Sequence, residues 1–377
     1  MKMLSNWWSN IQAYLFSWLE EELGPLTEKL QQLISILEIL RIEDFIPNSF
    51  GYRGRPPKNR KAIARSFVAK AVYNMPTTRI LLDRLNSDIA FRRICGWESK
   101  NEIPDEATFS RAFAEFSKFG LAQIVHDALI KKVFENNIAH HVSRDSTAIE
   151  AREKPMKKLP KKAKTSNKRG RRKKDEIKVK KTELTRIEKQ LDMSLPEMIN
   201  DLPKKCDIGT KKNSKGYKES WIGYKAHIDT IDGDIPISIL ITSASLHDSQ
   251  AAIPLAEVTK EKIPNFYDLM DAAYDVPAIR QHSLSLGHVP IIDSNPRRNK
   301  DLKEKMEQEK KAQKTLNWKT PQLQRYKQRS SAERVNSQLK DNFGGRMIRV
   351  QGNIKVCCHL MFGVLALTAY QILNLVR

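Results

Sequence analysis

The pair Asp232–Gly233 constrains this chain most. It separates two runs rich in β-branched residues, WIGYKAHIDTI at 221–231 and DIPISILITSA at 234–244, and an Asp-Gly step between such runs is the strongest short-range signal of a β-hairpin. A third run, HHVSRDSTAIE at 140–150, alternates and is β-branched around Asp145, so it reads as a strand. Beyond the hairpin an acid-capped helical piece, SLHDSQAAIPLAEVTKE, leads to FYDLMDAAYD at 266–275, a strand ending in acid. A helix over 277–286, a fifth strand in HVPIIDS, a charged helical stretch and an apolar closing helix complete the order. Strand, hairpin, helix, strand, helix, strand, helix predicts an α/β domain with a mixed five-stranded sheet flanked by helices.

The first third of the chain carries no strand signal. Residues 5–42 place apolar side chains at helical spacing, with LTEKLQQLISILEILRI the clearest stripe and Pro25 marking the start of a second helix. Residues 1–50 are thus expected to form a helical arm or oligomerisation element. The stretch GYRGRPPKNRK at 51–61 breaks the pattern with Gly, Pro and five cations, and a second helical domain is expected over 51–138. Its last clear helix, PDEATFSRAFAEF, has Asp105 at its cap. Two readings fit this domain equally: a helix-turn-helix variant with Thr108, Ser110 and Arg111 near the start of a recognition helix, or a plain helical bundle. The sheet then occupies 139–377, with a basic insertion at about 151–220.

Charge names the partner class. The 377 residues include 66 Lys or Arg against 44 Asp or Glu, a net charge of +22, which points to a polyanion, most simply double-stranded DNA. The excess is clustered: residues 152–190 hold 18 cations and 5 acids. Arg53 and Arg55 in RGRP, and Arg169 and Arg171 in KRGR, are candidate DNA contacts of the kind that enters narrow minor grooves. The alternatives are a cation-tolerant entry loop for the first pair and sequence-independent phosphate binding for the second. Cys95, Cys206, Cys357 and Cys358 have no zinc or disulfide spacing, which fits a reducing cytoplasm. The start of the chain meets Glu20, Glu21 and Glu22 before a signal-peptide core develops. The apolar run at 356–376 is interrupted by His359, Thr368, Gln371 and Asn374, so it reads as a buried helix and not a membrane span.

The stretch YKQRSSAERVNSQLK at 326–340 puts Tyr326, Arg329, Glu333 and Lys340 at offsets 0, 3, 7 and 14. On one α-helix those offsets fall within an arc of roughly 60°. A carboxylate between cations and a phenol suits a site that holds a metal ion and grips phosphates, although a solvated helix laced with ion pairs shows the same face. Asp145 and Asp271 would be neighbours if their strands pair, and Glu333 on a later helix can reach the same point. Three such carboxylates repel unless neutralised, which predicts two Mg²⁺ or Mn²⁺ ions, with Asp145 bridging them. Asp229, Asp232, Asp234, Asp248, Asp268, Asp275 and Asp293 lie near the same sheet, and spacing alone does not choose among them.

The chain resembles the DDE transposases of bacterial insertion sequences, in the branch with the Y-x2-R-x3-E-x6-K signature, matched at Tyr326, Arg329, Glu333 and Lys340. SRDSTAIEA is similar to the strand motif of the first acid, and Asp271, Ala272, Ala273, Tyr274 and Asp275 to the D-x-x-Y-D motif of the second. Residues 52–117 are similar to the helical domain of InsH-type members. The resemblance implies an RNase H-like core, metal-dependent DNA strand transfer, and a homodimer on terminal inverted repeats. It also implies Asp145, Asp271 and Glu333 as metal ligands and Tyr326, Arg329 and Lys340 as phosphate contacts. The first 45 residues match nothing in the family. Trp318 stands between the second acid and the glutamate, where some relatives seat a flipped base. Alternatives are a DNA-binding autorepressor or domesticated derivative without strand transfer, and an RNase H-like nuclease that hydrolyses without joining. No G-x-x-x-x-G-K-[ST] loop for ATP occurs.

Overall fold

The computed structural model describes residues 2–47, 57–135, 137–157, 184–212, 215–297, 299–317 and 320–376. Arg53, Arg55, Arg169, Arg171 and Trp318 lie outside them. The chain opens with helices α1 (Lys2–Asn10), α2 (Phe16–Leu23) and α3 (Glu28–Leu40), followed by α4 (Arg60–Val72), α5 (Thr78–Ser87), α6 (Ile89–Ile94), α7 (Glu106–Phe119) and α8 (Leu121–Phe134). Local chemistry sets the starts. The side chains of Thr27, Asn59, Thr77, Asp88 and Asp105 each accept a backbone N–H from the first turn of the helix that follows, which satisfies donors that a bare helix end leaves open. Gly120, at φ 71°, ends α7 in the left-handed conformation that costs glycine least.

The sheet begins with β1 (Ala139–Glu150), and after two short helices, α9 (Arg186–Gln190) and α10 (Leu195–Asp201), come β2 (Asp207–Lys212), β3 (Lys218–Ile231) and β4 (Ile235–Ser243). Then follow α11 (Ala252–Lys260), β5 (Asn265–Met270), α12 (Pro277–Ser285), β6 (Val289–Ile292), α13 (Lys300–Thr315), α14 (Pro321–Tyr326), α15 (Ser330–Asn342) and α16 (Asn353–Asn374). β1 is central, antiparallel to β3 on one side and parallel to β5 on the other, and β5 is parallel to β6. β2 and β4 both pair with the far side of β3. A helical region followed by a mixed sheet with helices on its faces is the RNase H-like architecture expected.

The sheet has six strands and not five. The extra one, β2, comes from the segment read as a basic insertion, whose later part, 184–212, builds α9, α10 and this strand. Its residues are mostly exposed, so it carries no apolar alternation, as expected of an edge strand. The hairpin is where the sequence placed it. Gly233 and Asp234 both have positive φ, 81° and 58°, and Asp232 folds back to accept the backbone N–H of His140 at 2.8 Å.

α16 passes through the middle of the molecule, packing on α3, α4, α7, α8 and β4. It is long and apolar enough to cross a membrane, but 83% of its apolar window is buried inside the protein. One apolar core therefore runs from the N-terminal helices through α16 to the sheet. The connection from α6 to α7 spans 95–105, longer than the three or four residues of a helix-turn-helix. Phe109, Phe113 and Phe116 of α7 are buried, and Phe67 of α4 lies edge-on to all three. This is bundle packing.

Candidate active site

Strand alternation sorts the residues of β1 onto two faces. Arg144 points to the α11 side, where Nε and Nη2 hold Asp229 at 2.8 and 2.6 Å and the Thr259 hydroxyl donates to the same carboxylate at 2.7 Å. Both ions are fully buried, so this pair belongs to the core. Ser143 and Asp145 point the other way. The Ser143 hydroxyl donates to the Gln328 carbonyl at 3.1 Å, and Asn336 of α15 donates to Asp145 Oδ2 at 3.1 Å.

The parallel pairing of β1 with β5 ends at Arg144 and Met270, and that of β5 with β6 at Met270 and Ile292. Asp145, Asp271 and Asp293 are therefore the next residues on three adjacent strands, spaced by roughly 4.8 Å per strand. Their charges act on one another. Burial, and then the charge of Asp271, push the Asp145 carboxyl up to about 6. Asp271 is also raised, by burial and by the charges of Asp248 and Asp293, against a 2.9 Å hydrogen bond from the Ala273 N–H and the nearby Arg329.

Six of the seven other candidate acids are spoken for: Asp229 binds Arg144, Asp232 binds His141, Asp234 binds Arg334, Asp248 binds Lys225, Asp268 binds His288 and Asp275 binds Arg280. Among the described residues Asp145 and Asp271 have no ion pair, which separates them from these six; Asp293, at the end of β6, shares that state and adds its charge to Asp271.

The stretch 326–340 is not one helix. Tyr326 ends α14, residues 327–329 form a 3₁₀ turn, and α15 begins at Ser330. A 3₁₀ turn advances about 120° per residue and eclipses positions i and i+3. It brings the Arg329 guanidinium over the Tyr326 ring, 5.6 Å from its centroid. Arg329 also binds Glu333 one turn on. The Glu333 side chain is 55% exposed and turned to Arg329, and among the described residues no three His, Cys, Asp or Glu side chains converge on one point. The Arg329 charge in turn lowers both Asp145 and Asp271.

Lys340 sits two turns beyond Glu333, about 10 Å along the axis. It is half-buried, and burial together with the charges of Lys211 and Arg346 lowers its pKa. Lys211 lies on β2, so this cation cluster was hidden with that strand. Arg111 is on α7, exposed and held by Thr108 Oγ1 at 2.9 Å. It is joined to the acid cluster by no contact among the described residues. Two residues near the acids carried little advance signal. Asn336 is an ordinary helix residue until it meets Asp145. Lys225 stands on β3 and draws in Asp248 at 2.8 Å, and the effect of burial on Asp248 is outweighed by Lys225 together with His227 and Ser146, which lower its pKa.

Residues 139–369, more than half of the chain, match the family described as the transposase DDE domain. This chain belongs to the DDE transposases. Residues 19–115 of the transposase match a second family, described as a transposase domain (DUF772), so the family likeness begins within the first 45 residues, earlier than the sequence reading placed it. No curated protein and no solved structure matches it. The transposase is thus an enzyme of DNA transposition, of the insertion-sequence type, and its family acts on DNA with divalent metal ions. The donor set fits such an ion: two half-buried carboxylates on adjacent strand ends, one with its proton affinity raised to about 6, both without an ion-paired cation among the described residues.

Proposed function

We propose that this transposase cleaves the 3′ ends of its element and joins them to target DNA, with Asp145, Asp271 and Glu333 holding two Mg²⁺ or Mn²⁺ ions. The observation that carries the reading is the pair of unpaired carboxylates at the ends of β1 and β5, raised in proton affinity and overlain by the Tyr326–Arg329–Glu333 segment. Bound divalent ions would lower the charge on the scissile phosphate and ease ionisation of the attacking water or 3′ hydroxyl.

The protein's own residues supply position. Asn336 orients Asp145 through its amide, and the 3₁₀ turn after Asp271 fixes that carboxylate by the Ala273 N–H. Glu333 completes the set by leaving Arg329, a side-chain rotation on the first turn of α15. Arg329, freed of Glu333, can then fork onto a phosphate oxygen pair. Tyr326 adds one hydrogen-bond donor beside it, and Lys340, with Lys211 and Arg346, grips the backbone farther along α15. Arg53, Arg55, Arg111, Arg169 and Arg171 are assigned to DNA binding outside the acid cluster. A homodimer on two inverted repeats, each protomer acting on one end, is the assembly this reading takes. Exchange of one phosphodiester for another needs no nucleotide as energy source.

Incubation of the protein with Mg²⁺ and labelled element-end DNA tests the reading. Joined products support it; cleavage without joining means a nuclease, and a bound but intact duplex means a regulator. The Asp145→Asn variant should abolish cleavage by at least about 10³-fold while leaving end binding intact. Retained cleavage in that variant would remove Asp145 from the site.

A further inference from the structure

A cavity lies away from the acids. It has a volume of about 440 Å³ and is enclosed by α4, the start of α5, α7, α16 and the segment 343–350 that follows α15. Phe67, Phe113, Phe343 and Phe362, all buried, form its walls. Lys70 of α4 lines it and is only 9% exposed. Among the described residues the Lys70 ammonium has no hydrogen bond and no ion pair. Arg152 and Arg349 stand exposed at the rim, and Glu106, the acid of the lining, lies 3.9 Å from Arg79.

We propose that this cavity is a nucleotide site, in which the phosphate is held by Lys70 with Arg152 and Arg349 and the base lies among the phenylalanine rings. The Lys70 stem is largely buried while its Nζ keeps contact with the cavity, so the charge is partly stripped of water and faces the space a ligand would fill. Burial alone draws the Lys70 pKa down to about 8, with no carboxylate to offset it. Its neighbour His359 gives no counter-charge, since it is itself a buried neutral ring whose Nε2 bonds the Gly344 carbonyl at 3.0 Å. A bound anion would supply the counter-charge that the described residues do not. Three cations favour a phosphate over a carboxylate, and four aromatic walls favour a flat ring over a bare ion. The volume is within the range of roughly 300–1,000 Å³ that takes a small organic ligand.

The cavity is tied to the signature segment. Asn74, just beyond α4, donates to the Asp341 carbonyl at 2.6 Å and accepts the Gly344 N–H at 3.0 Å. Asn74 thus pins both Asp341, the residue after Lys340, and Gly344, which lines the cavity. This continuity makes a nucleotide of bound DNA the favoured source, an assignment that rests on the DNA-joining reading; the nucleotide chemistry itself does not.

The test uses the full chain and measures acylation of Lys70 by an amine-reactive reagent at pH 8, with exposed Lys131 as internal reference. Deoxyadenosine monophosphate, inorganic phosphate, a short single strand and a short duplex are the probes. The monophosphate or either DNA should slow Lys70 labelling about tenfold at tenfold excess over its Kd. Protection by DNA alone assigns the source to DNA, and protection by the monophosphate assigns it to free nucleotide as well. Absence of protection by all of them, or equal protection by inorganic phosphate, would overturn the proposal. The Lys70→Met variant keeps the volume and loses the charge. It should melt higher than wild type without ligand and bind the monophosphate at least about tenfold more weakly; unchanged binding would also overturn the site. Failure of strand joining with Lys70 still protected would sink only the joining reading.

Discussion

Asp145 shows how one position in a strand carries opposite demands. Its neighbour Arg144 is buried in an ion pair whose loss of one partner would cost about 3–5 kcal/mol. Asp145 itself faces Asp271 and is strained electrostatically. Its folded pKa of about 6 lies above the ordinary value of 3.8, so the folded state holds an extra proton between those values and the ionised group costs stability above pH 6. In chelator, Asp145→Asn should therefore raise the Tm at pH 7.5, by up to roughly 3 kcal/mol in stability, and leave it unchanged near pH 4. Saturating Mg²⁺ should stabilise the wild type and not this variant. A variant melting below wild type at pH 7.5 in chelator would mean that Asp145 is a structural residue.

Among the elements, α16 governs how the two halves of the chain meet. Gly363 lies where a β-carbon would stand 2.4 Å from the Phe343 carbonyl oxygen, with Leu339 Cδ1 at 3.0 Å. Only the absence of a side chain lets α16 pass this close to the end of α15. Gly363→Ala should cost about 1–3 kcal/mol, read as a lower urea midpoint with an unchanged m-value. Because Phe343 lines the Lys70 cavity, the same variant should also weaken protection of Lys70. Apolar composition marked α16 as buried, but nothing in its sequence named the carbonyl it approaches.

For the molecule as a whole, buried histidines set the acid limit. His227, which bonds Thr242 Oγ1 at 2.8 Å, and His359 are both driven by burial down to about 4. Between pH 6.5 and 4 the unfolded chain takes protons that the folded one refuses, so stability falls as pH falls through that window. The loss should reach up to roughly 3 kcal/mol per histidine, partly offset by the relief at Asp145. Urea midpoints at pH 7 and pH 5 check the sign, and His227→Gln should flatten the slope between them. A midpoint higher at pH 5 than at pH 7 would contradict the assignment.

By itself the sequence determined the order of five strands, the hairpin at Asp232–Gly233, the burial of the last helix, and the family through Tyr326, Arg329, Glu333 and Lys340. These are local or periodic signals, written in residues next to one another in the chain. The tertiary structure decided what depends on partners far apart. It added β2, invisible because an exposed edge strand needs no apolar alternation. It broke the signature helix at 327–329 and turned Glu333 to Arg329. It separated Asp145 and Asp271 from six of the acids near them, because whether a carboxylate is paired depends on cations such as Arg144, Lys225 and Arg334 that only folding brings across the sheet.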